Sequence, residues 1–257
     1  MPLIGDLFPV KSVEQPQTTQ LREHEVRFIV RRSPRRRSIE LHVDERGLIV
    51  HAPWRASDRR IQGVLDTHTD WVLKKLQTWR NAATRPRQWI DGSAIPFLGR
   101  ELCLEILPDS INRVQLLDDD RLQVCMSAVK FGDTGQHLEP RAVRDAVVAW
   151  YRRHALPLFN ASVLRSAPLL EVAPPRVFLS NARGRWGSCN SQAKVRLNWR
   201  LLQAPSEVID YVVVHELAHL REMNHSARFW ALVEQACPDY QTARAALDRH
   251  GGEYMTL

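Results

Sequence analysis

The stretch His215-Glu216-Leu217-Ala218-His219, with His225 six residues further on, constrains this chain more than any other part of it. On a helix, residues four apart share one face, so His215 and His219 can offer two imidazoles to one metal ion. Glu216 is offset by about 100°, too far round to ligate easily but near enough to reach a water on the metal. His225 would supply a third nitrogen from beyond the helix end. Three neutral ligands with one open position is the coordination of a catalytic zinc rather than a structural one. Val208, Ile209, Val212, Val213 and Val214 precede the motif, so the helix belongs to the core. Burying two imidazoles and a carboxyl there without partners would be costly. The spacing therefore predicts a Zn2+ site formed by His215, His219 and His225, with Glu216 as the catalytic carboxylate.

Composition bounds the rest. At 257 residues and 44% hydrophobic, the chain can hold one large or two small cores. No apolar run approaches the roughly 20 residues of a membrane span. Residues 1–20 lack a basic segment followed by an apolar one, so no signal peptide is expected. Cys103, Cys125, Cys189 and Cys237 are scattered, without a Cys-x-x-Cys pair, which predicts free thiols in a reducing cytoplasm. The net charge of +7 is uneven: residues 1–100 hold 18 Lys/Arg against 11 Asp/Glu, while residues 101–257 are balanced. The densest cluster, Arg31-Arg32-Ser33-Pro34-Arg35-Arg36-Arg37, makes Arg35, Arg36 and Arg37 candidates for phosphate contact with DNA or a nucleotide, against the plainer reading of a solvated basic hairpin.

Along the chain, residues 1–23 read as a disordered leader, 24–135 as a β-rich subdomain with one long helix, and 136–257 as the domain that carries the metal motif. Alternation predicts strands at 25–32, 38–43 and 47–52. Ser57 reads as the N-cap of a helix running to about residue 80, with His68 as a packed or capped histidine. Strands follow at 94–98, 101–107, 112–117 and 121–126, with Asp118-Asp119-Asp120 as an acidic turn. The glycines in 129–138 suggest a linker and the main boundary. A long amphipathic helix is expected over 140–159, strands at 177–179 and 195–199, and the metal helix from Pro205, with Asn224 as a left-handed stop. Ser226 caps a last helix that ends before Pro238.

Several of these stretches together resemble the YgjP-like metallopeptidase family, relatives of the SprT-like and Wss1-like zinc proteases. They are Arg185-Trp186-Gly187-Ser188-Cys189, Arg196-Leu197-Asn198-Trp199-Arg200-Leu201, Val214-His215-Glu216-Leu217-Ala218-His219-Leu220, Asn224-His225-Ser226 and Phe229-Trp230. In the front half the likeness includes the basic strand pair, Trp71 and Ile95-Pro96-Phe97-Leu98-Gly99-Arg100. The resemblance implies an α+β fold: a zincin-like catalytic domain with an added N-terminal β-rich lobe. It implies the same zinc ligands and the same catalytic Glu216, and substrate-binding roles for Arg185, Trp186 and Asn198. In zincins a strand ahead of the metal helix runs along the cleft and pairs with an extended peptide, and residues 195–199 look like that strand. Metzincins share the histidine spacing, but Glu222 stands where they have a glycine, and Met255 lies too near the end of the sequence to match their Met-turn.

Three functions fit these residues. The first is a zinc peptidase acting on polypeptide, with zinc lowering the pKa of a water toward about 7 and Glu216 carrying its proton. Arg185, Tyr211, Tyr240 and Tyr254 are the candidate oxyanion donors. The second is a nucleotide pyrophosphatase of the UTP type using the same metal; no Walker-type glycine loop or acidic Mg2+ cluster supports it. The third is a nucleic-acid-binding module using the basic lobe, which would leave Glu216 without a purpose.

Overall fold

The computed structural model describes residues 13–44, 46–83, 87–127 and 139–257. It is a mixed α+β structure that divides into two compact units, Met1–Arg85 and Pro86–Leu257. No helix among the described residues is long and apolar enough to cross a membrane.

In the first unit, strands β1 (Val13–Leu21), β2 (His24–Ser33), β3 (Glu40–Asp44) and β4 (Gly47–Pro53) form one sheet in the order β1-β2-β4-β3. Helices α1 (Asp58–Thr67) and α2 (Thr69–Ala83) contribute Ile61, Leu65 and Val72 to a core shared with Val26, Phe28, Val30, Leu48 and Val50. Residues 13–21 are thus a paired strand and not part of a disordered leader; residues 1–12 lie outside the described residues. Pro16 and the glutamines hid this strand. It runs along the sheet edge, where a residue without an N–H is tolerated, and Leu21 is 1% exposed. The single helix expected from Ser57 is two helices. Ser57 Oγ does accept from the Arg60 N–H, but α1 ends at His68. Thr67 Oγ1 bonds the Gly63 carbonyl at 2.8 Å and Thr69 Oγ1 the Leu65 carbonyl at 3.1 Å, back-bonding that bends helices.

The second unit opens with β5 (Ala94–Phe97), β6 (Arg100–Asp109), β7 (Arg113–Leu116) and β8 (Arg121–Ser127), in the order β5-β6-β8-β7. The 27-residue helix α3 (Pro140–Ser166) follows. A small sheet then holds β9 (Val177–Ser180), β10 (Gly187–Cys189) and β11 (Val195–Asn198), and α4 (Ser206–Ala218), α5 (Ala227–Ala236) and α6 (Tyr240–Met255) complete the unit. The division falls at 85/86 and not near residue 135. Ile95, Phe97, Leu102, Leu104, Leu122 and Val124 share one core with α3 and α4. Phe97 meets Trp150 with ring centroids 4.9 Å apart, and the Tyr151 hydroxyl donates to the Pro96 carbonyl. Alternation reveals strands but not which core they join. The expected linker at 129–138 lies outside the described residues.

The small sheet corrects a second expectation. Its order is β10-β11-β9, with β11 antiparallel to β10 and parallel to β9. Both edges of β11 are occupied, so residues 195–199 cannot pair with a peptide. The strands with an edge left over are β9 and β10; β10 is the one that runs against Glu216, and its three residues are too few for alternation to register.

Helix α4 is buried nearly all round: Val208, Ile209, Tyr211, Val212, Val213, Val214, Glu216 and Leu217 are all buried. Its last turn tightens, with Leu220 N–H bonding the Leu217 carbonyl at 2.9 Å and Arg221 N–H the Ala218 carbonyl at 3.0 Å. These bonds satisfy the terminal carbonyls without a left-handed residue, so Asn224 is not the stop. Helix α6 went unforeseen because Gly251-Gly252 discourages a helix by about 1 kcal/mol per glycine. The reason for Gly251 lies in packing: a Cβ there would meet Trp186 Cζ2 at 3.3 Å.

Candidate functional site

His215 and Glu216 occupy the last turn of α4, and His219 caps it. His225 immediately precedes the Ser226 cap of α5, whose Oγ accepts from the Phe229 N–H at 3.3 Å. That cap fixes the backbone beside His225. Phe229, fully buried, lies beneath all three imidazoles at centroid distances of 4.9, 4.6 and 4.7 Å. The ring nitrogens of the three histidines fall within 4.8 Å of one another, and they form the one such cluster among the described residues. His215 Nε2 and His225 Nε2 stand 3.1 Å apart, near the roughly 3.3 Å expected for two ligands of a tetrahedral zinc with bonds of about 2.05 Å. His219 Nδ1 lies 3.1 Å from the Glu222 carbonyl, which fixes its proton on that side and frees Nε2 to ligate.

The electrostatics agree with a cation site. Burial, reinforced by His219, His225 and Arg244, holds His215 down to about 3. Burial, with His219 and Arg244, also lowers His225. At neutral pH these two rings are uncharged and keep lone pairs for a metal. Glu216 is 5% exposed, and its Oε2 has no hydrogen-bond partner. Burial pushes its carboxyl up to about 8, against the lowering effect of Arg185. An unpartnered buried carboxyl that exchanges its proton near neutrality is suited to general acid–base work.

Gly187 is a site residue to which sequence reading assigned no role. A Cβ on it would lie 2.6 Å from Glu216 Cγ and 2.7 Å from Cδ, so only glycine lets β10 run against that side chain. A glycine inside a strand is the signal that could have pointed to such an approach. Two residues along, burial and Glu216 together raise the Cys189 thiol, which keeps it protonated.

The other expected site residues separate into distinct groups. Arg185 is exposed and acts on Glu216 through its charge. Trp186 is half-buried, edge-on to Tyr254 at 6.3 Å. Asn198 does not face a substrate. It is 0% exposed, and its amide donates to the Ala182 carbonyl at 2.6 Å and the Arg185 carbonyl at 3.2 Å. It therefore positions the loop that leads to Gly187. Tyr211 is buried 6.0 Å from His215, centroid to centroid, and stacks on Tyr240. In the first unit, Arg36 is engaged with Glu40 at 2.6 Å, while Arg35 and Arg37 are exposed. In the acidic turn, Asp118 pairs with Arg121 and Asp119 with Arg100.

Among solved structures the chain is similar to the metallopeptidase zymogen of Pyrococcus abyssi abylysin, at 24% identity over 35% of this chain and 90% of that one, with a TM-score of 0.32. No curated protein matches the chain. The family described as YgjP-like, metallopeptidase domain, matches residues 37–250, a span that includes every residue of the histidine cluster, Glu216 and Gly187. This chain belongs to the YgjP-like metallopeptidase family.

Proposed function

We propose that the chain is a zinc-dependent peptidase of the zincin type that cleaves polypeptide, with His215, His219 and His225 holding Zn2+ and Glu216 transferring the proton. The observation that carries this reading is the convergence of three imidazoles beside a buried, unpartnered carboxyl. Zinc held by these three imidazoles would supply a Lewis acid and acidify a bound water. The Glu216 carboxylate would accept a proton and return it to the departing amine. The outer edge of β10, beside Glu216, offers backbone N–H and C=O groups to an extended chain, which favours an unfolded polypeptide as substrate. Four free thiols fit a reducing, cytoplasmic setting.

The test is metal content against activity. Purified protein should carry about one zinc per chain. A chelator should abolish hydrolysis of an unstructured protein such as casein, and added zinc should restore it. Removing the ion should also lower the unfolding temperature by several degrees, because a ligand present at about 1,000 times its Kd stabilises by about 4 kcal/mol. Full peptidase activity in zinc-free protein would sink the assignment.

A second reading, contact of the first unit with single-stranded nucleic acid, is favoured by one feature. The Ser33 carbonyl accepts from both Arg36 N–H (3.3 Å) and Trp54 N–H (3.2 Å), which sets exposed Trp54 and Arg55 beside exposed Arg35 and Arg37. A base can stack on such a tryptophan while the arginines meet phosphates. Oligo-dT should quench tryptophan fluorescence at low salt and lose affinity steeply by 200 mM salt. Unchanged binding after Arg35→Glu, Arg37→Glu and Trp54→Ala together would remove this reading.

A further inference from the structure

One cation beside the metal centre has no role in the proton chemistry. Arg244 projects from α6 and is exposed. Its guanidinium lies over the Trp230 ring, 5.0 Å from the centroid. Trp230 is in turn 6.0 Å from the rings of both His215 and His225, and it stacks on Tyr240 at 5.5 Å. Tyr240 stacks on Tyr211, which meets His215 edge-on at 6.0 Å. Trp230, Tyr240 and Tyr211 thus form one aromatic wall beside the metal ligands, with Arg244 mounted on it. The guanidinium is no more than about 11 Å from the His225 ring, and its charge is felt at His215, His225 and Tyr211. Among the described residues no carboxylate comes within ion-pair distance of it; Asp248, one turn on, also acts on Tyr211.

We propose that Arg244, held on Trp230, is a specificity-determining residue that binds a substrate carboxylate close to the bond being cut. This rests on the peptidase reading above and names its substrate class: polypeptide with an acidic group near the scissile bond. The cation–π contact holds the guanidinium plane in place, so less freedom is lost on binding a carboxylate than for a cation on a free stem. An extended chain advances about 3.3–3.6 Å per residue, so 11 Å places the carboxylate within about three residues of the bond. Arg185 acts on the Glu216 carboxyl, whereas Arg244 acts on His215 and His225. The carboxylate has two sources, an acidic side chain or a free chain terminus, and the peptides below separate them.

The experiment uses the zinc-loaded full chain and matched peptides that differ at one position, Glu, Gln or Lys, two residues from a single cleavable bond. Each is made with a free and with an amidated C-terminus. Wild type should favour Glu over Gln about two- to fivefold in kcat/KM, mostly through KM, as a charge pair at an exposed site implies. Arg244→Gln should collapse that ratio to near one, and Arg244→Glu should invert it toward Lys. Arg244→Lys should restore part of it. A preference that follows the free C-terminus and not the Glu assigns the carboxylate to the chain end. Wild-type rates that are equal for Glu and Gln and also equal for the free and amidated C-terminus, or a uniform fall in kcat in Arg244→Gln with the preference kept, overturn the proposal. Binding of the same peptides to Glu216→Gln protein, read by fluorescence anisotropy, tests the preference without turnover. Loss of turnover in wild type with the binding preference intact would fault the peptidase reading and not this one.

Discussion

Glu216→Gln should lose at least about 100-fold in turnover and keep its zinc, because a positioned general base contributes roughly 10²–10⁴-fold to such chemistry. The substitution changes no ring nitrogen of the histidine cluster and keeps the shape of the side chain, so metal content separates a catalytic loss from a structural one. The same variant has a second expected effect, on stability, and its sign follows from burial. Burial raises the folded-state pKa of Glu216 from 4.5 to about 8 in the metal-free protein. The folded form therefore holds its proton more tightly than the unfolded form. As pH climbs past 4.5 the unfolded chain ionises freely while the folded one does not, and stability falls until about pH 8. Glutamine removes that dependence. At pH 8, metal-free Glu216→Gln should exceed metal-free wild type by about 2–3 kcal/mol, after allowance for burying an amide. The gap should close at about pH 6, reverse below it, and shrink when zinc is restored, because the cation favours the carboxylate. Urea unfolding at several pH values measures it, and a gap that does not vary with pH refutes the burial argument.

The chemistry was easier to read from the residues than the architecture around it. His215 and His219 four apart on a mostly apolar, buried helix have few explanations besides a metal, and the structure brings their ring nitrogens together with that of His225. What sequence left undetermined is governed by long-range packing. Alternation in 94–126 identified strands, but Phe97 against Trp150 decides that they join the metal-bearing unit. Residues 195–199 have the composition of a cleft strand, yet β11 lies between two partners, a fact fixed by the short strand Gly187–Cys189. The family resemblance makes Asn198 a substrate contact, whereas its bonds to residues 182 and 185 spend its amide inside the fold. Arg244 was silent because its significance depends on α6, and Gly251-Gly252 concealed that helix.

Gly187→Ala should damage both stability and activity, out of proportion to one methyl group. The new Cβ would sit 2.6–2.7 Å from Glu216 Cγ and Cδ, inside the roughly 3.0 Å that real Cβ contacts do not cross. Neither side can retreat easily. Glu216 is carried by α4, where Val213 and Leu217 are 0% exposed, and Gly187 is held in register opposite Leu197 on β11. The Asn198 N–H to Trp186 carbonyl bond, at 2.7 Å, pins the preceding residue. Overpacking of this kind costs about 1–3 kcal/mol. The yielding element is the Glu216 side chain, which must leave its rotamer, and a displacement near 1 Å at a catalytic group can cost about 100-fold in rate. Zinc binding should survive, because no histidine is touched. Gly63→Ala in α1 is the control: nothing lies within 4 Å of a Cβ there, so it should stabilise by about 0.5–1 kcal/mol. The decisive comparison is Gly187→Ala in a Glu216→Ala background. If the clash with Glu216 is the cause, truncating that side chain should relieve most of the cost, and the two substitutions will be strongly non-additive. Simple additivity would mean that Gly187 serves the strand backbone and not the carboxylate beside it.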